Sequence, residues 1–329
     1  MEKIIGIGNA LVDILVRLED ESLLAQMQLP KGGMTLVSEA QQKRLRACMD
    51  GLQVEQATGG SAGNAMLALA RLGGKAGFVG KTGHDALGRF YAENCKAVGI
   101  EARLLQCDLP TGVANTFITP DGERTFGTYL GAAATLQASD ITPQLFEGVG
   151  MAHIEGYLVQ NHELMEAICQ TAMEMSVQLS LDLASYNVVA ADLPFFRHLV
   201  QDYIDIVFAN EEEAAAFTGK ADPTEALRAI AAYKCLAVVK LGSKGSSARL
   251  GDEEVFVEAR KMPVVDTTAA GDFFAGGFLY ALNRGDSLRD CLRLGTLLAG
   301  HVIGVVGTRL PEEEWNSLTL TLSKERGLK

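Results

Sequence analysis

The feature that most limits the fold is an alternation of two periods in the middle and C-terminal parts of the chain. Short β-rich runs, VQLSLDL (177–183), DIVFAN (205–210) and LAVVKLG (236–242), are separated by longer segments of helical period. HELMEAICQTAMEM (162–175) and TEALRAIAAYK (224–234) are two of these, the second preceded by Asp222-Pro223, a cap and first-turn signal. Strand, helix, strand in repetition predicts a mostly parallel sheet covered on both faces. In such sheets ligands bind beyond the carboxyl ends of the strands, so chemistry is expected just after these runs.

Two regions depart from this rhythm. Residues about 11–38 hold LVDILVRL, the turn signal Pro30-Lys31-Gly32-Gly33 and MTLVS. Residues about 102–131 hold ARLLQC, GVANTFITP, the turn Asp121-Gly122 and RTFGTYL. Both read as β-hairpin material without helices between, which predicts two insertions forming a small accessory sheet at one end of the main body. With no internal repeat or linker, the expectation is one folding unit over 1–329 carrying an attached lid.

Composition narrows the function classes. A net charge of −12 argues against a nucleic-acid or anionic-membrane partner, both of which need a basic footprint. No run approaches the roughly 18 apolar residues of a membrane span. Cys48, Cys95, Cys107, Cys169, Cys235 and Cys291 are scattered without a C-x-x-C pair, the pattern of reduced thiols in a cytoplasmic protein. The five histidines show no metal spacing, so zinc is not expected. GIGNAL (6–11) begins like a dinucleotide fingerprint, but Leu11 stands where the third glycine belongs. GKT (80–82) suggests a phosphate loop, yet Lys75 occupies the position of its first glycine. A turn after the strand GFVG is the simpler reading.

The densest chemical signal is VVDTTAAGDFFAGGF (264–278). An apolar run after Asp272 ends at Asn283-Arg284-Gly285, so Ala269, Ala270, Gly271 and Asp272 fall on the first turn of a predicted helix. Amides of a first turn lack intrahelical partners and carry the positive end of the dipole, which makes an anion site. Asp272 would then stand beside a bound anion, placed to take a proton from an attacking hydroxyl. On spacing alone a second reading stands equally: a glycine-rich helix start packed tightly on its neighbours.

DTTAAGD (266–272) resembles the C-terminal signature of the ribokinase-like (PfkB-type) family of sugar and nucleoside kinases. ATGGSAGNAMLALARLGGKAGFVGKTGHDALGRFY (57–91) is similar to that family's N-terminal pattern, Asn210-Glu211-Glu212-Glu213 fits its N-x-x-E motif, and Lys240 to Gly245 its strand-to-turn segment. The matches keep the family's order over nearly the whole chain. The resemblance implies an α/β, three-layer ribokinase-like fold with a central, mostly parallel sheet and a small β-sheet lid. It implies ATP-dependent phosphoryl transfer to an alcohol, most often a primary one, with Mg2+ as cofactor.

The implied roles attach to residues as follows. Asp272 would be the base, and the amides of Ala269, Ala270, Gly271 and Asp272 the anion hole for the transferring phosphoryl group. Asn210 and Glu213 would organise magnesium through water, while Lys240, Gly242, Gly245 and Thr267 would lie near the nucleotide. Asp13, Gly59, Gly60 and Asn64 would hold acceptor hydroxyls, since carboxylates and amides bind vicinal hydroxyls and glycines admit the ring. Asp13 inside an apolar run would otherwise be an expensive acid. Arg124, on a lid strand, would contact substrate or reach the phosphates, or else be a solvated hairpin residue. Asp266 and Thr268, with VIGVVG (302–307), resemble a monovalent-cation site, so potassium activation is a further expectation.

The segments GIGNALVDILVRL and DGERTFGTYLGAAATL look closest to the branch of bacterial adenosine kinases and unassigned sugar kinases. The expected partner is therefore a neutral sugar or nucleoside, with Leu15, Leu36, Phe117 and Phe126 as candidates for an apolar base slot. Adenosine kinase is the specific alternative, and a non-catalytic sugar or nucleotide sensor on a kinase fold the alternative from another class. A homodimer through exposed lid edges is a further expectation.

Overall fold

The structure, a computed structural model, describes residues 1–327. In chain order the strands are β1 (Lys3–Ile7), β2 (Leu11–Arg17), β3 (Met34–Leu36), β4 (Val54–Gly59), β5 (Ala76–Gly83), β6 (Ile100–Cys107) and β7 (Gly112–Ile118). They continue with β8 (Arg124–Tyr129), β9 (Val149–Glu155), β10 (Gln178–Asp182), β11 (Ile206–Asn210), β12 (Leu236–Lys240), β13 (Gly245–Leu250) and β14 (Glu253–Glu258).

Nine strands form the main sheet in the order β14-β13-β12-β11-β10-β9-β1-β5-β6. From β6 to β12 all pairs are parallel, and β13 and β14 close one edge as antiparallel strands. The period of two sends alternate residues into two separate cores. Ile206 and Phe208 of β11 face one core with the helices Ser61–Arg71, Ala270–Asn283 and Leu288–Val302; Val207 and Ala209 face the other with His162–Glu174 and Leu193–Asp202. Helix, sheet, helix is the three-layer arrangement that the alternating pattern predicts. Four of the six free cysteines are buried, and among the described residues no helix is long and apolar enough to cross a membrane.

The lid is a five-stranded sheet in the order β3-β8-β7-β2-β4. Its bounds differ from the two insertions expected at 11–38 and 102–131. β4 lies outside both ranges yet pairs with β2, while ARLLQC belongs to β6, which lies parallel to β5 in the main sheet. The helix Ala86–Ala97 supplies the crossover that parallel pairing requires, so β6 was never free to be a hairpin arm. The lid also carries its own helices, Ser22–Met27 and Glu39–Cys48. They cover Val12, Ile14, Val16 and Phe117 on one lid face, which leaves Asp13, Leu15 and Arg124 on the other.

Candidate active site

The carboxyl ends of the parallel strands set the site. Glu155 of β9 and Asp182 of β10 are register partners, as are Asn210 of β11 and Lys240 of β12 two residues further along, so polar groups end four adjacent strands. Beyond that row lies a cavity of about 570 Å³. Its walls include Asn210, Glu213, Lys240, Gly242, Thr267 and Ala269 to Asp272, together with Ser61, Tyr157 and Asp182.

Asp272 is in the first turn of the helix Ala270–Asn283. The adjacent helix Ser61–Arg71 pins its carboxylate from one side: Ser61 Oγ donates to Oδ1 at 2.7 Å and Asn64 Nδ2 to Oδ2 at 2.9 Å. Burial raises the Asp272 pKa to about 6, against the two hydrogen bonds, with the Asp182 carboxylate raising it further and Lys240 opposing. A carboxylate tuned toward neutrality accepts protons better than an ordinary one.

Ala269 caps this helix in a left-handed conformation, φ 60°, and contributes no side-chain cap. Among the described residues no group accepts from the amides of Gly271 and Asp272, so these donors face the cavity wall. An L-residue in that conformation pays a steric penalty from its Cβ. Ala269→Gly is therefore expected to stabilise the fold by up to about 1 kcal/mol, once the entropy lost by glycine is deducted. Thermal unfolding checks this; a fall in Tm would show that the alanine methyl packs favourably.

Lys240 lines the cavity and is largely buried. Its Nζ donates to Asp182 Oδ2 at 2.8 Å, and a Cβ placed on Gly271 would stand 3.1 Å from that same nitrogen. Burial disfavours the charged form, yet the Asp182 and Glu213 carboxylates hold the ammonium well above the usual lysine range. Asp182 is held below the usual carboxylate range by Lys240 in spite of its own burial. A buried cation thus lies beside Gly271 on the wall of the same cavity.

Asn210 and Glu213 are joined in a capping box: both Glu213 oxygens accept from Asn210, at 2.7 Å each, and Asn210 Oδ1 accepts from Glu213 N at 2.8 Å. Burial pushes the Glu213 carboxyl up. Among the described residues no cluster of three His, Cys, Asp or Glu side chains could cage a metal ion. The acidic wall of Asp182, Glu212 and Glu213 instead suits an ion that keeps most of its waters and binds largely through phosphates, as magnesium does.

Gly242 lines the cavity, whereas Gly245 does not. With φ 126° and a Cβ position that would strike Val257 O, Gly245 serves the close pairing of β13 with β14. Its expected nucleotide contact gives way to a backbone role.

The residues expected on the acceptor side, Asp13, Gly59, Gly60 and Asn64, lie at the junction of lid and helix Ser61–Arg71. Gly60 has φ 89°, and a Cβ there would strike Asn9 O; at Gly59 a Cβ would strike the Asp13 carboxylate. The two glycines therefore let the lid strand β2 close onto the start of the helix Ser61–Arg71. Burial, the Asp272 charge and Asp266 raise Asp13 to about 7, while Arg124 draws it down.

Arg124 is not solvated. Its guanidinium forms an ion pair with Asp266 and Nη1 donates to Thr268 Oγ1 at 3.3 Å, which ties it to the turn before Ala269. Phe117 is fully buried on the opposite face of the lid, beneath its helices, and is removed from any base slot. Leu15, Leu36 and Phe126 keep to the cleft-facing side.

Several site residues were missing from the sequence reading. Ser61 binds the catalytic candidate, Asp182 anchors Lys240, and Tyr157 lines the cavity. Glu155, 1% exposed, accepts from Asn9 N at 2.9 Å and Ala62 N at 3.2 Å, which ties the turn after β1 to the acceptor helix. Asp182 and Glu155 each end a β-rich run, so the strand-end rule applied to every acid would have found both.

Residues 36–315 match the pfkB family carbohydrate kinase profile. An adenosine kinase from Sinorhizobium meliloti is 34% identical with a TM-score of 0.85, the match covering 98% of this chain and 99% of that one. A probable sugar kinase from Rhizobium etli CFN 42 is likewise 34% identical, with a TM-score of 0.86 over 100% and 99% of the two chains. A ribokinase from Arabidopsis thaliana is 28% identical over 92% of this chain and 76% of its own. The chain belongs to the pfkB family of carbohydrate kinases. It is a sugar or nucleoside kinase, an ATP-dependent phosphotransferase.

Proposed function

We propose that this chain moves the γ-phosphoryl group of ATP to a hydroxyl, most often a primary one, of a neutral sugar or ribonucleoside in the cytoplasm. The observation that carries the reading is the Asp272 carboxylate, pinned by Ser61 and Asn64 beside uncapped helix amides. Asp272 takes the acceptor proton as the phosphoryl group is attacked, and the amides of Ala269, Gly271 and Asp272, beside Lys240, receive the charge that develops on it, the Ala270 amide being engaged by Thr267 O at 3.3 Å. Asp13 and Asn64 orient the acceptor's hydroxyls. Asn210 and Glu213 hold the waters of magnesium, and Thr267 and Gly242 border the nucleotide. Bound magnesium supplies charge neutralisation along the phosphates.

One observation favours a ribonucleoside among the acceptors. Met34 and Leu36, 57% and 54% exposed, share the cleft-facing side of the lid with Phe126 and Asp13. Hydroxyl-binding Asp13 beside an apolar row suits a ribose joined to a flat base, as an adenosine-type acceptor is. ADP release with Mg-ATP, measured over neutral sugars, phosphosugars and nucleosides with Asp272→Asn as control, tests both levels. A nucleoside signal that vanishes in the variant is expected; a signal confined to free sugars would remove the nucleoside reading, and silence across the panel the kinase assignment of Asp272. The three-residue β3 edge also offers a dimer contact, and a monomer mass by light scattering would dismiss that.

A further inference from the structure

A buried carboxylate needs a counter-charge, and Asp266 already has one. Its side chain is 2% exposed, and Oδ1 accepts from Thr268 N at 2.9 Å while Oδ2 accepts from Gly307 N at 2.6 Å. The Arg124 guanidinium, 11% exposed, pairs with Oδ2 and reaches Thr268 Oγ1. The same turn is tied again to the C-terminal segment, because Val265 N and Asp266 N both donate to Ile303 O, at 2.7 and 3.1 Å. Asp266 and Thr268 were the expected ligands of potassium. Their fit to that ion is poor here, since both carboxylate oxygens and the threonine hydroxyl are engaged and the positive charge beside them is supplied by the protein.

We propose that Arg124 is a lid-borne counter-cation for Asp266, filling the place a monovalent cation would otherwise take. The consequence follows from topology. Arg124 stands on β8 of the lid, whereas Asp266 lies three residues before Ala269, the cap of the helix that presents the anion site. When the lid closes, Arg124 neutralises Asp266 and the turn leading to that helix is held by backbone and charge together. When the lid lifts, Asp266 keeps its two amide donors but loses its cation, and the turn loosens. Arg124 is thus a positioning residue that acts on the anion hole through Asp266, and it makes order at the anion hole depend on lid closure. The rate arm of the test below rests on the proposed kinase chemistry; the unfolding arm does not.

The experiment compares wild type, Arg124→Met and Arg124→Lys in KCl, NaCl and choline chloride at equal ionic strength, by thermal unfolding and by turnover. Wild type is expected to give one Tm and one rate in all three salts. Arg124→Met is expected to unfold several degrees lower in choline and to recover in KCl or NaCl, with kcat/KM rising about tenfold, the ordinary scale of coupling between two sites. Arg124→Lys keeps a cation on the lid and is expected to remain indifferent to the salt. Wild type whose Tm or rate climbs in KCl over choline would overturn the proposal, as would Arg124→Met that weakens without any cation-specific recovery. Should the methionine variant not fold, the wild-type and lysine comparisons still decide. If unfolding follows the expected pattern while no acceptor is phosphorylated, the kinase chemistry fails and the counter-cation stands.

Discussion

Asp272→Asn is expected to lower kcat by roughly 10²–10⁴-fold, the range over which a positioned general base contributes. The change preserves shape: asparagine can still receive one hydrogen bond from Ser61 or Asn64, which now donate to the carboxylate. Nucleotide binding should therefore survive while turnover falls, and that separation identifies a base as opposed to a packing residue. The wild-type pH profile carries the same information. Asp272 works as the carboxylate, so kcat/KM should rise with pH through about 6 and flatten above it. Stability runs the other way. A carboxyl whose folded pKa lies above its unfolded value favours the fold at low pH, and this contribution is lost as pH rises from 3.8 through about 6. At pH 8 the asparagine variant should thus be at least as stable as wild type, and a less stable variant with parallel losses of binding and rate would count against the assignment.

Lys240→Met is expected to damage both stability and rate, by different routes. Removing one partner of a buried ion pair leaves the other uncompensated, which costs about 3–5 kcal/mol. Here the abandoned groups are Asp182, 5% exposed and otherwise held by a hydrogen bond from Ala184 N at 3.0 Å, and the buried Glu213. The rate loss comes from the amides of Gly271 and Asp272, because the Lys240 Nζ stands beside Gly271 and its charge supports charge gathering at the proposed anion site. Loss of one such donor or cation costs roughly 10²–10³-fold in kcat. The double variant Lys240→Met, Asp182→Asn separates the two effects. It should regain part of the stability, since Asp182 no longer holds a buried charge without its cation while Glu213 still lacks Lys240, and little of the rate. Full recovery of the rate in the double variant would reduce Lys240 to a structural partner of Asp182.

Much of the architecture was legible because it follows from local period. The runs around 177–183, 205–210 and 236–242 became β10, β11 and β12 in parallel order, with the helices His162–Glu174 before β10 and Pro223–Ala231 before β12 where the spacing placed them. A strand buried on both faces has no polar side to disguise it, so it reads clearly. The lid was legible only in outline. β4, with the sequence VEQATG, has exposed and polar positions over most of its length and reads as a loop until β2 supplies its partner. ARLLQC looked like hairpin material for the same reason: a strand does not declare which neighbour it will take.

The site divides along a similar line. Asp272 could be located because amides at a helix start are a property of one local segment, visible in the glycine and alanine before it and the apolar run after it. The burial of Lys240 against Asp182 joins positions 58 residues apart, and the Arg124 pair with Asp266 bridges lid and body. Neither spacing carries a periodic signal. The sequence alone determined the parallel α/β class, the helix start at Ala270 and the acid in its first turn, since each depends on neighbours along the chain. Only the tertiary structure decided which cation stands beside Gly271 and which one pairs with Asp266. Buried charges choose partners by proximity in a low-dielectric interior, and that proximity exists only once the sheet and the lid have closed around them.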